Sequence, residues 1–305
     1  MLLTDLAATF LNNLVPVMLI SGVGYLLGRL LTIDARSLGR ILFYIFSPVL
    51  IFNLLYTNEL PPGEILETMG FAASVLASIG VLVLVVGTAL RLPRSILMAV
   101  LLTAMFANTG NYGLPLVDFA FGEGATAHAS LYFVSVSVIF NSLGVLIASL
   151  GHLRFRDALL ALLKVPTVYA AALGLLLNQM GWQLSLPLAR VVQLVADGSI
   201  PLMLILLGLE LNRVQWSDGL PVVGFSVGMR LLAGPLVGLA LAGMYGLNPV
   251  ARQANVVQAS MPSAVTCTVL ATEYNLEPPL VTSIVFIGTL LSPLTLTPLL
   301  VLLGR

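Results

Sequence analysis

The chain has 305 residues, of which 59% are hydrophobic and 9% are charged, and its mean hydropathy is +1.06. Soluble domains usually carry about 25% charged residues, so this composition indicates a protein embedded in a lipid bilayer. The formal net charge is zero, which offers no basic surface for a nucleic-acid partner. Cys267 is the only cysteine, which excludes an intrachain disulfide and any multi-cysteine metal or iron–sulfur site.

Ten apolar stretches are long enough to cross a bilayer, since a spanning helix needs about 20 mostly apolar residues. The links between them are short, so none holds a separate soluble domain. The sequence therefore predicts an all-α membrane protein with ten transmembrane helices. In chain order the predicted spans cover residues 8–30, 38–56, 68–90, 95–121, 126–150, 164–180, 187–211, 221–244, 251–272 and 279–303.

The fourth and ninth predicted spans are broken by residues that do not favour a continuous helix. Residues 108–116 read Asn-Thr-Gly-Asn-Tyr-Gly-Leu-Pro-Leu, and residues 258–268 read Gln-Ala-Ser-Met-Pro-Ser-Ala-Val-Thr-Cys-Thr. At membrane depth a broken helix survives only where the freed backbone faces protein or a water-filled cavity. Paired breaks in the two halves of a membrane chain point to the binding site of a transporter.

An internal repeat relates the two halves of the chain. Pro166 follows Pro16 by 150 residues, and Pro201 follows Pro48 by 153 residues. The two broken stretches have a similar separation. Each half holds five spans, and two similar units with an odd number of spans must insert with opposite orientation. We therefore expect two inverted five-helix repeats, residues 1–150 and 151–305, with the binding site near the bilayer midplane.

The distribution of basic residues predicts the orientation of the chain. Lysine and arginine accumulate in the odd-numbered links, and cytoplasmic links carry such an excess. We therefore expect an inner-membrane, multi-pass protein with both termini outside the cytoplasm. The basic residues of the first, third and fifth links are Arg29, Arg36, Arg40, Arg91, Arg94, Arg154, Arg156 and Lys164. In the second half Arg213 agrees with this orientation, whereas Arg190 and Arg252 fall on the outer side.

The two breaks together predict a site for an anion. The second half of a broken helix begins with unpaired N–H groups that carry a partial positive charge, and two such ends can bind an anion without Lys or Arg. Asparagine, threonine and serine side chains can add hydrogen bonds to a carboxylate. The alternative is that they only satisfy the broken backbone and that the tyrosine is simply packed. The predicted substrate-binding residues are Asn108, Thr109, Gly110, Asn111, Tyr112, Pro115, Gln258, Ser260, Pro262 and Ser263.

Ionisable residues inside predicted spans suggest how a coupling ion could act, because such residues are usually functional. Asp197 is predicted to carry a proton or bind a cation, and Arg230 to be a counter-charge for the substrate. The alternatives are a structural Asp197–Arg230 pair, or both residues facing a water-filled cavity. Asn141 and Ser142 are predicted to ligate Na⁺, since hard cations prefer oxygen ligands. The expected coupling ion is therefore H⁺ or Na⁺, with no other cofactor.

The sequence does not support a hydrolase or an ATP-driven pump. Residues 224–228 fit the Gly-x-Ser-x-Gly pattern but lie inside a predicted helix, whereas a nucleophile elbow needs a strand, a turn and a histidine partner. Their spacing instead suits small residues on a packing face, as does that of Gly24 with Gly28 and of Gly234 with Gly238. No phosphate-binding loop for ATP is present. The sequence favours a secondary transporter over a cation antiporter, an anion channel or an intramembrane hydrolase.

The first break resembles the auxin efflux carrier family, in its bacterial branch. Asn108-Thr109 matches an Asn-Thr of the plant members, and residues 113–116 match their Gly-Ile-Pro-Leu. Ala107 stands where those members have proline. At the second break Met261-Pro262-Ser263 corresponds to their Leu-Pro-Gln.

This resemblance implies the fold of bile-acid symporters and sodium/proton antiporters. Spans 1, 2, 6 and 7 would form a scaffold and a homodimer face. Spans 3–5 and 8–10 would form a moving domain in which the broken helices cross. The implied substrates are small organic anions, either auxin or dicarboxylates such as malonate and malate.

Overall fold

The computed structural model describes residues 2–57, 60–148, 165–212, 216–217 and 219–304. Within these ranges the chain forms helices joined by short links, without a strand. The predicted boundary between the two repeats lies outside the described residues, as do Arg154, Arg156, Lys164 and Arg213.

Thirteen helices are numbered here in chain order. Between α4 and α5 the chain adds a π-helical turn at Thr109–Gly113, and α6 continues through Phe140–Gly144 to Val145–Ala148. The helices are α1 (Thr4–Leu30), α2 (Ala35–Thr57), α3 (Pro62–Ala89), α4 (Arg94–Met105), α5 (Leu114–Phe121), α6 (Glu123–Ile139), α7 (Pro166–Gln179), α8 (Leu186–Leu211), α9 (Leu220–Tyr245), α10 (Pro249–Ser260), α11 (Thr266–Glu273), α12 (Pro278–Leu291) and α13 (Pro293–Leu303).

Five of these helices, α1, α2, α3, α8 and α9, are long and apolar enough to cross a membrane. The pair α12 and α13, bent by 47° between them, brings the number to six if it forms one span. The remaining predicted spans are shorter or broken helices, so the count of ten crossings stays a prediction. The all-helical architecture and the apolar spans indicate a multi-pass membrane protein.

π-helical turns interrupt several long helices, and proline accounts for most of them. The turns at Phe10–Leu14, Leu42–Phe46, Thr109–Gly113 and Met229–Ala233 are each followed, two residues later, by a proline. Proline has no N–H group, and its ring clashes with the carbonyl group four residues earlier, which favours a local widening of the helix. The prolines that define the sequence repeat in spans 1 and 2 are two of these four.

Glycine lets the helix pairs α1–α8 and α2–α7 pack backbone against backbone. A Cβ atom on Gly24 would overlap the carbonyl oxygen of Ile205, and one on Gly208 would overlap that of Ser21. At the α2–α7 contact, a Cβ atom on Gly174 would lie 2.9 Å from the carbonyl oxygen of Phe52. Small residues allow such close approach between membrane helices. These contacts join the predicted spans 1 with 7 and 2 with 6.

The other glycine pairs give a mixed result. Gly234 and Gly238 of α9 face α10, with a Cβ atom on Gly234 reaching 2.6 Å from the Ala259 carbonyl oxygen, which confirms that pair as a packing face. The expectation for Gly224 and Gly228 is wrong, because nothing lies within 4 Å of a Cβ atom on either residue. They line an apolar groove between α9, α12 and α13 instead.

Candidate functional site

The two broken stretches meet and are hydrogen-bonded to each other through their backbones. The Asn108 N–H group donates to the Pro262 carbonyl oxygen at 2.7 Å, and the Ala264 N–H group donates to that of Phe106 at 2.9 Å. These bonds flank an antiparallel pairing of Ala107 with Ser263. Each break thus supplies partners for backbone groups that the other leaves free, as burial in a membrane protein requires.

Local sequence explains why the helices break at these positions. Pro262 lacks the N–H group that would continue α10, and Met261 before it has the extended conformation that proline favours. At the first break, Gly113 packs directly on the side chain of Gln258, where a Cβ atom would overlap the amide oxygen. A Cβ atom on Gly110 would lie 2.9 Å from the ring of Phe133. Both glycines are therefore needed for close packing around the crossing.

Arg230 of α9 contacts the C-terminal ends of α4 and α10, which are the first halves of the two broken helices. Its side chain is 1% exposed, and its Nε donates to the Met261 carbonyl oxygen at 2.7 Å. Its Nη1 donates to the carbonyl oxygen of Ala104 at 2.9 Å, and its Nη2 to that of Ala259 at 2.5 Å. C-terminal helix ends carry partial negative charge, so the guanidinium group stabilises both ends at once. The structure therefore gives Arg230 backbone partners rather than an Asp197 partner.

Asn108 and Gln258 place unpaired polar atoms at the crossing. The Asn108 side chain is 5% exposed, and its Nδ2 has no hydrogen-bond partner among the described residues. Gln258 is fully buried and its Nε2 donates to the carbonyl oxygens of Thr109 at 3.1 Å and Ala129 at 3.2 Å. Its Oε1 has no partner in the described part of the chain. Buried polar atoms normally find partners, so such atoms suggest a bound ligand or water.

The remaining predicted binding residues differ in how free their side chains are. The Ser260 hydroxyl donates to the Val256 carbonyl oxygen at 2.6 Å, within its own helix. The Tyr112 hydroxyl lies 3.2 Å from the Ser292 hydroxyl, so this tyrosine is packed and hydrogen-bonded. Ser263 is buried in the backbone pairing. Pro115 is buried in the first turn of α5, and Asn111 is partly exposed.

Asp197 is exposed at the surface of a cavity whose lining includes no residue of the two broken stretches. Its Oδ1 accepts from Gln193 Nε2 at 2.7 Å. The cavity has a volume of about 270 Å³ and lies between α1, α2 and α8 on one side and α5 and α6 on the other. Asp118 and Glu123 add two more carboxyl groups to its lining. This acidic lining suits a cation better than an anion.

The two other predicted cation ligands lie in the π-helical turn that follows α6. The Asn141 Nδ2 donates to the Ser137 carbonyl oxygen at 2.8 Å, which leaves its Oδ1 for another partner. The side chain of Ser142 lies outside the described part of the chain. Among the described residues, no group of three or more His, Cys, Asp or Glu side chains is arranged to hold a metal ion.

Sequence reasoning missed a group of polar residues that lies beside the crossing. His128, Thr68 and Asn255 are buried on three different helices, and the Thr68 hydroxyl lies within hydrogen-bonding distance of the other two side chains. Asn255 precedes Gln258 by three residues and so lies on the same face of α10. The spacing of Asn255 and Gln258 could have indicated that Asn255 lies near the site. No feature of the sequence indicates that His128 contacts Thr68, which lies 60 residues earlier.

The comparisons with known proteins agree with this architecture. The sequence model of one family, described as membrane transport protein, matches residues 9–158 and 152–300. An uncharacterized transporter of Methanothermobacter thermautotrophicus is 28% identical, over 94% of this chain and 95% of its own length. A putative malonate transporter of Rhizobium meliloti is 25% identical, over 92% of each chain. Auxin efflux carrier component 1 of Arabidopsis thaliana is 28% identical over 44% of this chain and 23% of its own length.

Proposed function

Since the chain belongs to the membrane transport protein family, we propose that it is a secondary transporter for a small carboxylate. The anion binds where the two broken helices cross, and the site opens to each side of the membrane in turn. The observation that carries this proposal is the buried Asn108 Nδ2 beside the two breaks, for which the described residues provide no hydrogen-bond partner. An amide nitrogen can only donate, so the group it lacks is an acceptor such as a carboxylate oxygen.

The electrostatics of the crossing support an anion. Arg230 occupies the negative ends of α4 and α10, where an anion would be repelled. The second halves of the broken helices, α5 and α11, present their positive N-terminal ends instead. For α5 this end is the preceding Thr109–Gly113 turn, and for α11 it is the start of the helix. An anion near them needs no positively charged side chain of its own. Thr109, Gly110, Asn111 and Ser263 surround these ends in the proposed site.

The proposed mechanism uses two inverted repeats of five spans, 1–150 and 151–305. The close packing of α1 on α8 and of α2 on α7 supports a scaffold built from spans 1, 2, 6 and 7. The crossing lies among α4, α5, α9, α10 and α11, which belong to the spans proposed to move. The cavity between the two groups of helices is where they would separate.

The proposed substrates are dicarboxylates such as malonate or malate, with auxin-like monocarboxylates as the alternative. The putative malonate transporter, which aligns over almost the whole chain, favours the dicarboxylates. The chain is proposed to act as a homodimer in the inner membrane, with both termini outside the cytoplasm.

A second candidate is a sodium or proton antiporter, or a cation-coupled symporter of the bile-acid type. The acidic cavity lined by Asp118, Glu123 and Asp197 favours this candidate, because three carboxyl groups attract cations. In a symporter, Asp197 or the turn around Asn141 would bind the cation, while the crossing would bind the anion.

Uptake into liposomes distinguishes these functions. Purified protein is reconstituted and supplied with radiolabelled malonate, malate, acetate or indole-3-acetate, with imposed Na⁺, H⁺ or voltage gradients. A carboxylate transporter takes up at least one anion saturably, and protein-free liposomes provide the background. Cation flux without flux of any anion would favour the antiporter, and saturable flux of neither would refute both proposals.

A further inference from the structure

Buried polar side chains form a chain across three helices beside the crossing. His128 of α6 is 3% exposed, and its Nε2 lies 3.3 Å from Glu64 Oε2 of α3. Its Nδ1 lies 3.5 Å from the hydroxyl oxygen of Thr68, also of α3. Asn255 of α10 donates from Nδ2 to the same hydroxyl oxygen at 3.2 Å. Thr68 and Asn255 are fully buried, and Glu64 is 28% exposed.

The assigned donors and acceptors are consistent with one direction of the hydrogen bonds along this chain. Because Thr68 accepts from Asn255, its own hydroxyl hydrogen is free to point at His128 Nδ1. The imidazole then accepts at Nδ1 and donates from Nε2 to the Glu64 carboxylate. In this arrangement the ring is neutral, the carboxylate is ionised, and the pair carries one negative charge.

We propose that His128 and Glu64 form a proton-binding site that couples proton entry to anion binding at the crossing, through Thr68 and Asn255. This inference rests on the proposed function as an anion transporter. Asp197 and the region around Asn141 remain candidate cation sites, and the experiments test His128 and Glu64 separately from them.

The proton step needs only groups that the chain provides. The pair takes up one proton from the aqueous side, entering at Glu64, its partly exposed member, and in the protonated state both ring nitrogens of His128 carry a hydrogen. The new N–H group donates to the Thr68 hydroxyl oxygen, whose hydrogen turns to another acceptor. Imidazolium and carboxylate then carry no net charge together, and release of the proton restores the single negative charge. Histidine suits this step because its imidazole ring can bind and release a proton without any other chemical change.

The charge change occurs close to the proposed anion site. Asn255 precedes Gln258 by one helical turn, a rise of about 4.5 Å. Gln258 in turn contacts the carbonyl oxygen of Thr109 at the first break. With the proton bound, the pair no longer repels a carboxylate there, so proton and anion strengthen each other's binding. Such coupling is reciprocal, and typical values correspond to about 5- to 150-fold in affinity.

Glu64 is the charged group that the structure places against the imidazole ring. Nearby on α6, Glu123 is exposed and Tyr132 is buried one turn further on. Titratable groups on the other helices packed against α6 are exposed or hydrogen-bonded elsewhere. The exposed groups are Arg36, Arg40, Tyr44, Glu67, Tyr169 and Arg252. Three others have hydrogen-bond partners away from His128: Asp118 accepts from Thr126, Tyr56 accepts from the Leu184 N–H group, and Tyr112 is paired with Ser292.

The first test observes the proton directly, without requiring transport. Because the chain has two histidines, His152→Gln leaves His128 as the single histidine for ¹⁵N nuclear magnetic resonance. We expect the ¹⁵N signals of its ring to report a change of protonation state as the pH is varied, because a neutral imidazole has one protonated nitrogen and an imidazolium has two. Glu64→Gln should move the pH at which this change occurs, since it removes the carboxylate beside Nε2. A ring that keeps one protonation state throughout the titration, or a transition that Glu64→Gln does not move, would overturn the proposal.

The second test measures coupling as a ratio of two malonate uptake rates in liposomes. One rate is taken with the outside about one pH unit more acidic than the inside, and the other at equal pH. We expect a ratio of about five or more in the wild type and in Glu67→Gln, the control with the same chemical change at an exposed position of α3. The ratio should fall to about one in His128→Gln and in Glu64→Gln.

The outcomes separate failure of the coupling site from failure of the proposed function. A ratio that stays at the wild-type value in both variants would refute the coupling site and leave anion transport standing. Absence of malonate uptake under every gradient would count against the proposed substrate class, while the histidine titration would still decide whether the pair binds a proton. If His128→Gln does not fold, Glu64→Gln decides the second test.

Discussion

Replacing Arg230 tests whether this residue holds the crossing together or serves the substrate. Arg230→Met keeps an unbranched side chain that can still pack, but it is shorter and lacks the charge and all donors. The carbonyl oxygens of Ala104, Ala259 and Met261 then lose their partner in a buried environment. Arg230→Lys keeps the charge but replaces a planar fork by a single nitrogen, which cannot reproduce the geometry of the fork.

The expected loss of stability follows from these contacts. A hydrogen bond to a charged group contributes about 1.5–3 kcal/mol, and three are lost. Removing the guanidinium also removes its desolvation cost, which is several kcal/mol for a buried ion. We therefore expect Arg230→Met to lower the free energy of unfolding by about 3–5 kcal/mol, the usual range when one partner of a buried ionic contact is removed.

The assay is thermal unfolding of purified protein in detergent, followed by tryptophan fluorescence and compared with malonate uptake. Arg252→Met is the control, since Arg252 is an exposed arginine on α10. We expect the melting temperature to fall by several degrees in Arg230→Met and Arg230→Lys and to stay near the wild-type value in the control. An unchanged melting temperature together with weaker anion binding would show that Arg230 serves the substrate instead.

Three further predictions concern packing and the crossing. Gly208→Ala should lower the free energy of unfolding by about 1–3 kcal/mol, because the new Cβ atom would overlap the Ser21 carbonyl oxygen. Gly243→Ala is the control in the same melting assay and should be neutral or slightly stabilising, because nothing lies within 4 Å of a Cβ atom there. Gly113→Ala should displace the Gln258 side chain and reduce malonate uptake more strongly than the Gly243→Ala control. Gln258→Leu should lower the melting temperature, since two buried carbonyl oxygens each lose one hydrogen bond, which contributes about 0.5–1.5 kcal/mol; wild-type stability in this variant would show that water replaces the amide.

The sequence was most informative where a residue type disrupts regular structure. Proline and glycine at Gly110, Gly113 and Pro262 predicted two broken helices, because a missing N–H group or a missing Cβ atom acts on the local backbone. The same reasoning could have located the π-helical turns, since four prolines follow such turns at one spacing. Local rules of this kind need no knowledge of which helices are neighbours.

The contacts between helices could not be predicted in this way. Arg230 binds three backbone carbonyl oxygens, and a carbonyl oxygen is present at every residue, so no sequence pattern marks those partners. Burial in a predicted span suggested a functional charge, but the role of that charge depends on the tertiary fold. His128 was overlooked because its partners Glu64 and Thr68 lie on another helix, and a single buried histidine most often has only a structural role.

The most direct test of the anion site compares the half-saturation concentration for malonate uptake in the wild type, Asn108→Ala and Asn12→Ala. Asn12 is an exposed asparagine in the π-helical turn of α1, so it controls for the loss of an asparagine amide away from the crossing. A hydrogen bond to a charged ligand contributes about 1.5–3 kcal/mol, which corresponds to about 10- to 100-fold in affinity. We expect a rise of that size in Asn108→Ala with an unchanged melting temperature, and no change in Asn12→Ala. A wild-type half-saturation concentration in Asn108→Ala would contradict the placement of the anion at the crossing.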